Sequence, residues 1–425
     1  MPWQGRSLWS NAAIMGLGQI VYALCQWGIL IVVARSGGPE MVGRFALALA
    51  IAAPAMLLSN LALRSALVTD VRGEHPLGRY LALRLATTAI GGVIVVGLAL
   101  GLGLEGEVAL LIVVVGLAKS SESLSDVLYG IAQRHERFDL IARSMSARGL
   151  LGLLGMAAGI ALTGEVVWGV LALALAWALV LALYDWPMTA GWRRTSAAAG
   201  PVRSWLGLAW SVLPLAVAVL LISLNGNLPR YVIAERFGEA ALGVFAAMAY
   251  IVVAGSMLIN VLGQVAIPRL ARMRADDDSR GFLGLLARML ILSLLVGLAL
   301  IGVAELFATR IMVSLYGAGF ADGSRLLTWV MVAGAVSFLA SCLGFGVTAL
   351  RLFRATPVIY GIGCCVNLLV CLLLPAHAGV TEIVVAWTVS MVVISLFNLV
   401  VILQILAGRG QPRPRVWARL LSVSA

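Results

Sequence analysis

The sequence predicts an all-α, polytopic integral membrane protein with about twelve transmembrane helices in two pseudo-symmetric six-helix bundles. Three observations lead there: the composition, the regular recurrence of long apolar runs, and a weak internal repeat. Of 425 residues, 62% are hydrophobic and 12% charged, with a mean hydropathy of +1.03. A soluble domain carries about 25% charged residues, so this composition excludes a globular, water-soluble core. The net charge of +11 comes from 29 arginines and a single lysine, Lys119. Such an excess is expected to orient the chain in a membrane rather than to bind nucleic acid. Cys25, Cys342, Cys364, Cys365 and Cys371 all fall within apolar runs. They offer neither a disulfide framework nor a metal-ligand spacing, and no catalytic or metal-binding residues are nominated.

Apolar runs occur at 10–33, 45–69, 80–104, 108–131, 144–162, 166–187, 206–228, 242–267, 282–307, 326–350, 356–374 and 381–406. Each approaches or exceeds the roughly 20 residues that cross a bilayer. If the N-terminus is cytoplasmic, the inner connections gather most of the arginines, including Arg134, Arg137, Arg143 and Arg148, and the tail adds Arg409, Arg413, Arg415 and Arg419. Arg35, Arg44, Arg230, Arg236, Arg310 and Arg325 fall outside, so both termini are expected in the cytoplasm. The first apolar run has no cleavage pattern and reads as a retained span. All connections are short, which leaves no room for a soluble catalytic or nucleotide-binding domain. No cofactor is expected; energy would come from an H+ or Na+ gradient or from a partner.

The repeat sets 32–66 against 232–266 without a gap. Gly38 then faces Gly238, Gly43 faces Gly243, Phe45-Ala46 faces Phe245-Ala246, and Asn60 faces Asn260. Two lobes are expected, 1–195 and 196–425, joined by the basic stretch 189–204.

Polar residues inside the spans are the candidates for function. The fourth run contains Lys-Ser-Ser-Glu-Ser-Leu-Ser-Asp from Lys119 to Asp126. At about 100° per residue, Lys119, Glu122, Ser123 and Asp126 share one helix face that Gly130 and Gln133 continue. An ionisable residue near mid-bilayer costs at least roughly 2.5 kcal/mol unless it is paired or wetted. Lys119 is close enough to pair with Glu122, and the four serines point to nearby water. Glu122 and Asp126 are the candidates for carrying a coupling ion. The first run places Asn11, Gln19, Tyr22 and Gln26 on one stripe, the second holds Asn60 and Arg64, and Arg84 in the third is expected to snorkel to the inner headgroups. In the second half the repeat sets Asn260 and Gln264 opposite Asn60 and Arg64, Asn225 and Asn227 lie near the outer end of the seventh run, and Pro214 marks a kink or hinge.

Several stretches together resemble the bacterial polysaccharide-biosynthesis flippases, the O-antigen and capsule exporters of the multidrug/oligosaccharidyl-lipid/polysaccharide superfamily. They are Gly37-Gly38-Pro39-Glu40 with Gly43-Arg44-Phe45, the run 133–138, Asn227-Leu228-Pro229-Arg230-Tyr231, Leu242-Gly243-Val244-Phe245, Pro268-Arg269-Leu270, and Leu315-Tyr316-Gly317 with Phe320. The resemblance implies two bundles forming a V around a central cavity that opens alternately to each side. It also implies export of a polyprenyl-(pyro)phosphate-linked oligosaccharide across a bacterial inner membrane, alongside glycosyltransferases and a polymerase of the same pathway. Cavity cations are then expected at Arg64 and Lys119, with Asn11, Gln19, Gln26, Asn60, Asn225, Asn227, Asn260 and Gln264 facing sugar hydroxyls. The alternatives are a drug or peptidoglycan-precursor exporter of the same fold, and a membrane polymerase or glycosyltransferase.

Overall fold

The computed structural model describes residues 8–70, 75–104, 106–194, 202–352 and 354–407, without the side chains of 8–13, 69, 202–204, 322 and 324. The described residues are mostly helical and contain no strand. In order, the α-helices are α1 (Leu8–Ser59), α2 (Leu63–Thr69), α3 (Leu77–Gly101), α4 (Gly106–Arg134), α5 (Phe138–Thr163), α6 (Val166–Val180), the short α7 (Trp186–Met188) and α8 (Ala190–Arg194), α9 (Val202–Ala275), α10 (Ser279–Tyr316), α11 (Ser324–Ala349), α12 (Ala355–Leu373) and α13 (Val380–Ala407). A π-helical turn, Leu181–Asp185, continues α6.

Among the described residues, ten helices are long and apolar enough to cross a membrane. The sequence-based figure of about twelve differs because α1 and α9 each join two apolar runs. Their 52 and 74 residues are interrupted at Gly38 (φ 66°, ψ −162°) and Gly238 (φ 78°, ψ −176°). The repeat sets these two glycines opposite each other. Both adopt a backbone conformation that is essentially restricted to glycine.

The repeat is not carried through the next helix. The expected span 45–69 is broken after Ser59, where Leu61 and Ala62 both take left-handed conformations (φ 48°), before α2 begins. By contrast, α9 runs helically through Pro214, Pro229 and Asn260, with Gly238 its non-helical residue among those described.

The chain divides into two compact units, Met1–Leu220 and Leu221–Ala425. In the first, α4 packs against α1, α2, α3, α5 and α6, so the most polar spanning helix is also the central one. Its termini follow the helix dipole, with Glu107 in the first turn and Arg134 in the last. Small residues bring α1 and α5 together: a Cβ on Gly18 would lie 2.6 Å from the Ala142 Cα, and Gly149 abuts Tyr22 and Cys25. That approach sets Tyr22 of α1 near Arg148 of α5. In the second unit, α11 packs against α10 and α13, and α12 against α13.

Candidate functional site

The polar face of α4 is met from three sides. Toward the middle of the helix, the Lys119 ammonium donates to Glu122 Oε2 at 2.7 Å, and the Tyr22 hydroxyl donates to Glu122 Oε1 at 3.3 Å. One turn further on, Asp126 receives two guanidiniums. Arg64 Nη1 lies 3.3 Å from one carboxylate oxygen and Arg84 Nη2 3.1 Å from the other. Arg64 also donates from Nε and Nη2 to Gln133 Oε1 at 3.1 and 3.0 Å. The stripe of Lys119, Glu122, Asp126 and Gln133 is therefore occupied much as the helical spacing predicts.

Arg84 departs from expectation. It does not snorkel to headgroups: its relative exposure is 0%. Besides Asp126, it donates to Asn60 Oδ1 at 2.6 Å and to Ser123 Oγ at 3.3 Å. Ser123 also donates to Asn60 Oδ1, and its own oxygen accepts the Thr88 hydroxyl at 3.0 Å. The break at Leu61–Ala62 is what carries Asn60 out of regular helix beside Arg84 and Ser123.

Arg148 is the functional candidate that sequence reasoning misplaced. Counted with the inner loops, it instead lies ten residues into α5 and is only 3% exposed. α5 begins at Phe138, ahead of the apolar run that starts at residue 144, so its first turns are helical, with Asp139, Ile141, Ala142 and Ser144 buried. The Arg148 guanidinium lies over the Trp177 ring, 4.7 Å from its centroid, and Nη1 donates to the Tyr129 hydroxyl at 3.5 Å. Tyr129 bonds Ser144 at 2.6 Å, and Ser144 donates to Asp185 Oδ1, whose other oxygen accepts Ser125. Arg148 is thus joined through two hydroxyls to a fully buried carboxyl on the π-turn. Its Nε and Nη2 have no hydrogen-bond partner among the described residues. The available signal was the four-residue spacing of Ser144 and Arg148, which places both on one helix face.

A pocket of about 130 Å³ opens among these groups, lined by Met15, Gln19, Tyr22, Arg64, Glu122, Asp126, Tyr129, Met145 and Arg148. Across this core, Arg64, Arg84, Lys119 and Arg148 stand against Glu122, Asp126 and Asp185, four cationic groups to three carboxyls. The excess favours an anion. The serines do not call for water: Ser120 and Ser121 bond the carbonyls of Gly116 and Leu117, while Ser123 and Ser125 have side-chain acceptors.

The remaining candidates are dispersed. Asn11 lies outside the described side chains. Gln26 Nε2 is buried without a partner among the described residues. In the second unit Asn225 is buried, its side-chain oxygen accepting Asn367 and Ser390 at 3.0 Å each, so it ties three helices together. Asn227 accepts Arg230 at 2.6 Å and donates to the Ser223 carbonyl at 2.9 Å. Asn260 and Gln264 lie on an exposed face of α9. No group of three or more His, Cys, Asp or Glu that could hold a metal occurs among the described residues.

Comparison with known proteins places this arrangement. The profile of the polysaccharide biosynthesis protein family matches residues 8–274. The chain is 27% identical over 339 residues to Capsular polysaccharide biosynthesis protein CapF of Staphylococcus aureus, covering 80% of this chain and 84% of that one. Among solved structures, it is similar to an inward-facing multidrug resistance MATE family transporter of the MOP superfamily, with a TM-score of 0.73, 15% identity, and coverage of 94% of this chain and 99% of that chain. It is also similar to a MOP superfamily transporter from Pyrococcus furiosus, with a TM-score of 0.56, 18% identity, and coverage of 92% and 94%. The likeness in fold, with the ten apolar helices, makes this a multi-pass membrane protein of the MATE-like transporter fold.

Proposed function

Because this chain belongs to the polysaccharide biosynthesis protein family, we propose that it is a flippase for a polyprenyl-(pyro)phosphate-linked oligosaccharide, carrying it from the cytoplasmic to the outer leaflet of a bacterial inner membrane. Transport is by alternating access and draws on an H+ or Na+ gradient, with no catalytic step. Both termini are cytoplasmic, and the cargo passes from glycosyltransferases to a polymerase of the same pathway. A headgroup of hydroxyls and phosphate cannot enter hydrocarbon unaided, because each polar group would lose its hydrogen bonds to water. It needs a polar, cationic path, while the polyprenyl tail stays in the bilayer.

The observation that supports this reading most strongly is the small pocket of the first unit, lined by Arg64, Arg148 and Glu122, with Lys119 paired to Glu122 beside it and two Arg148 nitrogens lacking a partner among the described residues. Arginine offers a planar fork suited to phosphate oxygens, and lysine a point charge. Within the first unit, Lys119, Arg64 and Arg148 bind the phosphate, while Gln19, Gln26 and Asn60 serve sugar hydroxyls. Protonation of Glu122 would free Lys119 for the cargo and shift the balance between the two access states, which makes Glu122 the coupling group. Asp126, held between Arg64 and Arg84, positions those cations.

The test is reconstitution into vesicles loaded with a fluorescent polyprenyl-diphosphate oligosaccharide, with translocation read by a membrane-impermeant lectin. The expected result is translocation well above that of protein-free vesicles and slowed by an ionophore that collapses the gradient. Equal rates with and without protein would overturn the proposal.

A further inference from the structure

A larger cavity lies away from the first-unit site. About 900 Å³ in volume, it sits where the C-terminal part of α10 meets the first turns of α11, and Glu305, Phe307, Arg310, Arg325, Thr328 and Trp329 are among its lining residues. Its depth follows from helix length. The 38 residues of α10 extend about 57 Å at 1.5 Å each, against about 30 Å of hydrocarbon. The apolar run in α10 ends at residue 307 and that in α11 begins at residue 326, so the cavity falls at headgroup level.

The charges there are unbalanced. Arg310 and Arg325 come from different helices, and neither has an ion-pair or hydrogen-bond partner among the described residues. Glu305, the one acid among the described lining residues, accepts the Thr328 hydroxyl at 2.8 Å, a bond that spans α10 and α11. An arginine of the first unit shows the contrast: Arg44 is held by Glu40 at 2.9 Å and Glu107 at 3.0 Å. Beside the two arginines, Phe307 and Trp329 are each 45% exposed and Leu306 is more so, giving an apolar flank next to the cationic one.

We propose that this cavity binds the headgroup of an anionic phospholipid, with its phosphodiester on Arg310 and Arg325 and its acyl chains along Leu306, Phe307 and Trp329. Two guanidiniums on neighbouring helices, with no ion-pair partner among the described residues, suit the oxygens of a phosphodiester. The volume admits the glycerol and attached headgroup as well as the phosphate. A neutral glycan would leave both cations unmatched.

The experiment is native mass spectrometry of the purified full-length protein titrated with phosphatidylglycerol, cardiolipin or phosphatidylcholine. Retained adducts are expected with the two anionic lipids and not with phosphatidylcholine. The double variant Arg310→Gln/Arg325→Gln should bind at least roughly tenfold more weakly, from the loss of charge-assisted hydrogen bonds to the phosphodiester. Arg310→Lys/Arg325→Lys should retain most of the binding, which separates loss of charge from a folding defect. Equal retention by wild type and the glutamine variant overturns the proposal, as does equal binding of phosphatidylcholine. So does quenching of Trp329 by a soluble neutral oligosaccharide with no response to anionic lipid, which would make the cavity a glycan groove.

Discussion

Arg84 Nη2 stands 3.1 Å from Asp126 Oδ2, and this guanidinium, with no exposed surface, also holds Asn60 and Ser123. One side chain thereby fixes α3 to α4 and to the broken end of α1. Removing one member of a buried ion pair leaves the other uncompensated, at a cost of about 3–5 kcal/mol. Asp126 keeps Arg64, so Arg84→Ala is expected near the lower end of that range. Thermal unfolding in detergent should show a clear fall in Tm for Arg84→Ala and a smaller one for Arg84→Lys. An unchanged Tm for the alanine variant would show that the network contributes nothing to stability.

Lys119 and Glu122 form a different kind of pair, three residues apart on one helix and each about a quarter to a third exposed. Part-exposed pairs contribute little to stability, about 0–1 kcal/mol. Their expected role is in transport. Lys119→Ala and Glu122→Gln should each reduce translocation while leaving Tm nearly unchanged, and Glu122→Gln should remove the response to a collapsed proton gradient. A Glu122→Gln protein that still responds to the ionophore would exclude Glu122 as the coupling group.

Arg148 lines the pocket with two nitrogens, Nε and Nη2, that have no hydrogen-bond partner among the described residues, while its third nitrogen bonds Tyr129. A hydrogen bond to a charged group contributes about 1.5–3 kcal/mol, which corresponds to roughly 10- to 150-fold in affinity. Arg148→Gln should therefore weaken binding of the lipid-linked oligosaccharide by at least roughly tenfold. Arg148→Lys should recover only part of the loss, because an ammonium lacks the planar fork. Binding of a polyprenyl monophosphate compared with a diphosphate is the discriminating measurement: a role confined to holding Tyr129 would leave their ratio unaltered.

What the sequence made legible follows a physical pattern. The α4 stripe could be read because its charges stand three and four residues apart in an otherwise apolar run, and such spacing has one helical meaning. Gly38 and Gly238 could be paired because the repeat is ungapped there. Arg84 and Arg148 were misread because both lie near the ends of apolar runs, where distance along the chain favours snorkelling. Their faces told otherwise: Tyr80, Arg84 and Thr88 recur every four residues, as do Ser144 and Arg148, and all five are buried. The helix break at Leu61–Ala62 left no local signal, since neither residue favours a left-handed backbone. It is held by tertiary contacts, Asn60 with Arg84 and Ser123. Asn225 looked like a ligand for sugar because an isolated asparagine does not reveal that its partners, Asn367 and Ser390, lie more than a hundred residues away.

The two glycine breaks permit a test in which sterics and conformation separate. At Gly38 and Gly238 an added Cβ would meet nothing within 4 Å, so there is room for alanine at both. Their φ angles of 66° and 78°, with ψ near 180°, remain unfavourable for any residue bearing a Cβ. Holding such a residue there costs of order 1–3 kcal/mol. Gly92, within α3, also has open space but carries ordinary helical geometry. Alanine there should stabilise by roughly 0.5–1 kcal/mol, because it lowers the entropy lost on folding. Gly38→Ala and Gly238→Ala should thus lower Tm while Gly92→Ala raises it or leaves it unchanged. If the first two variants matched Gly92→Ala, the breaks would not be conformational requirements of α1 and α9.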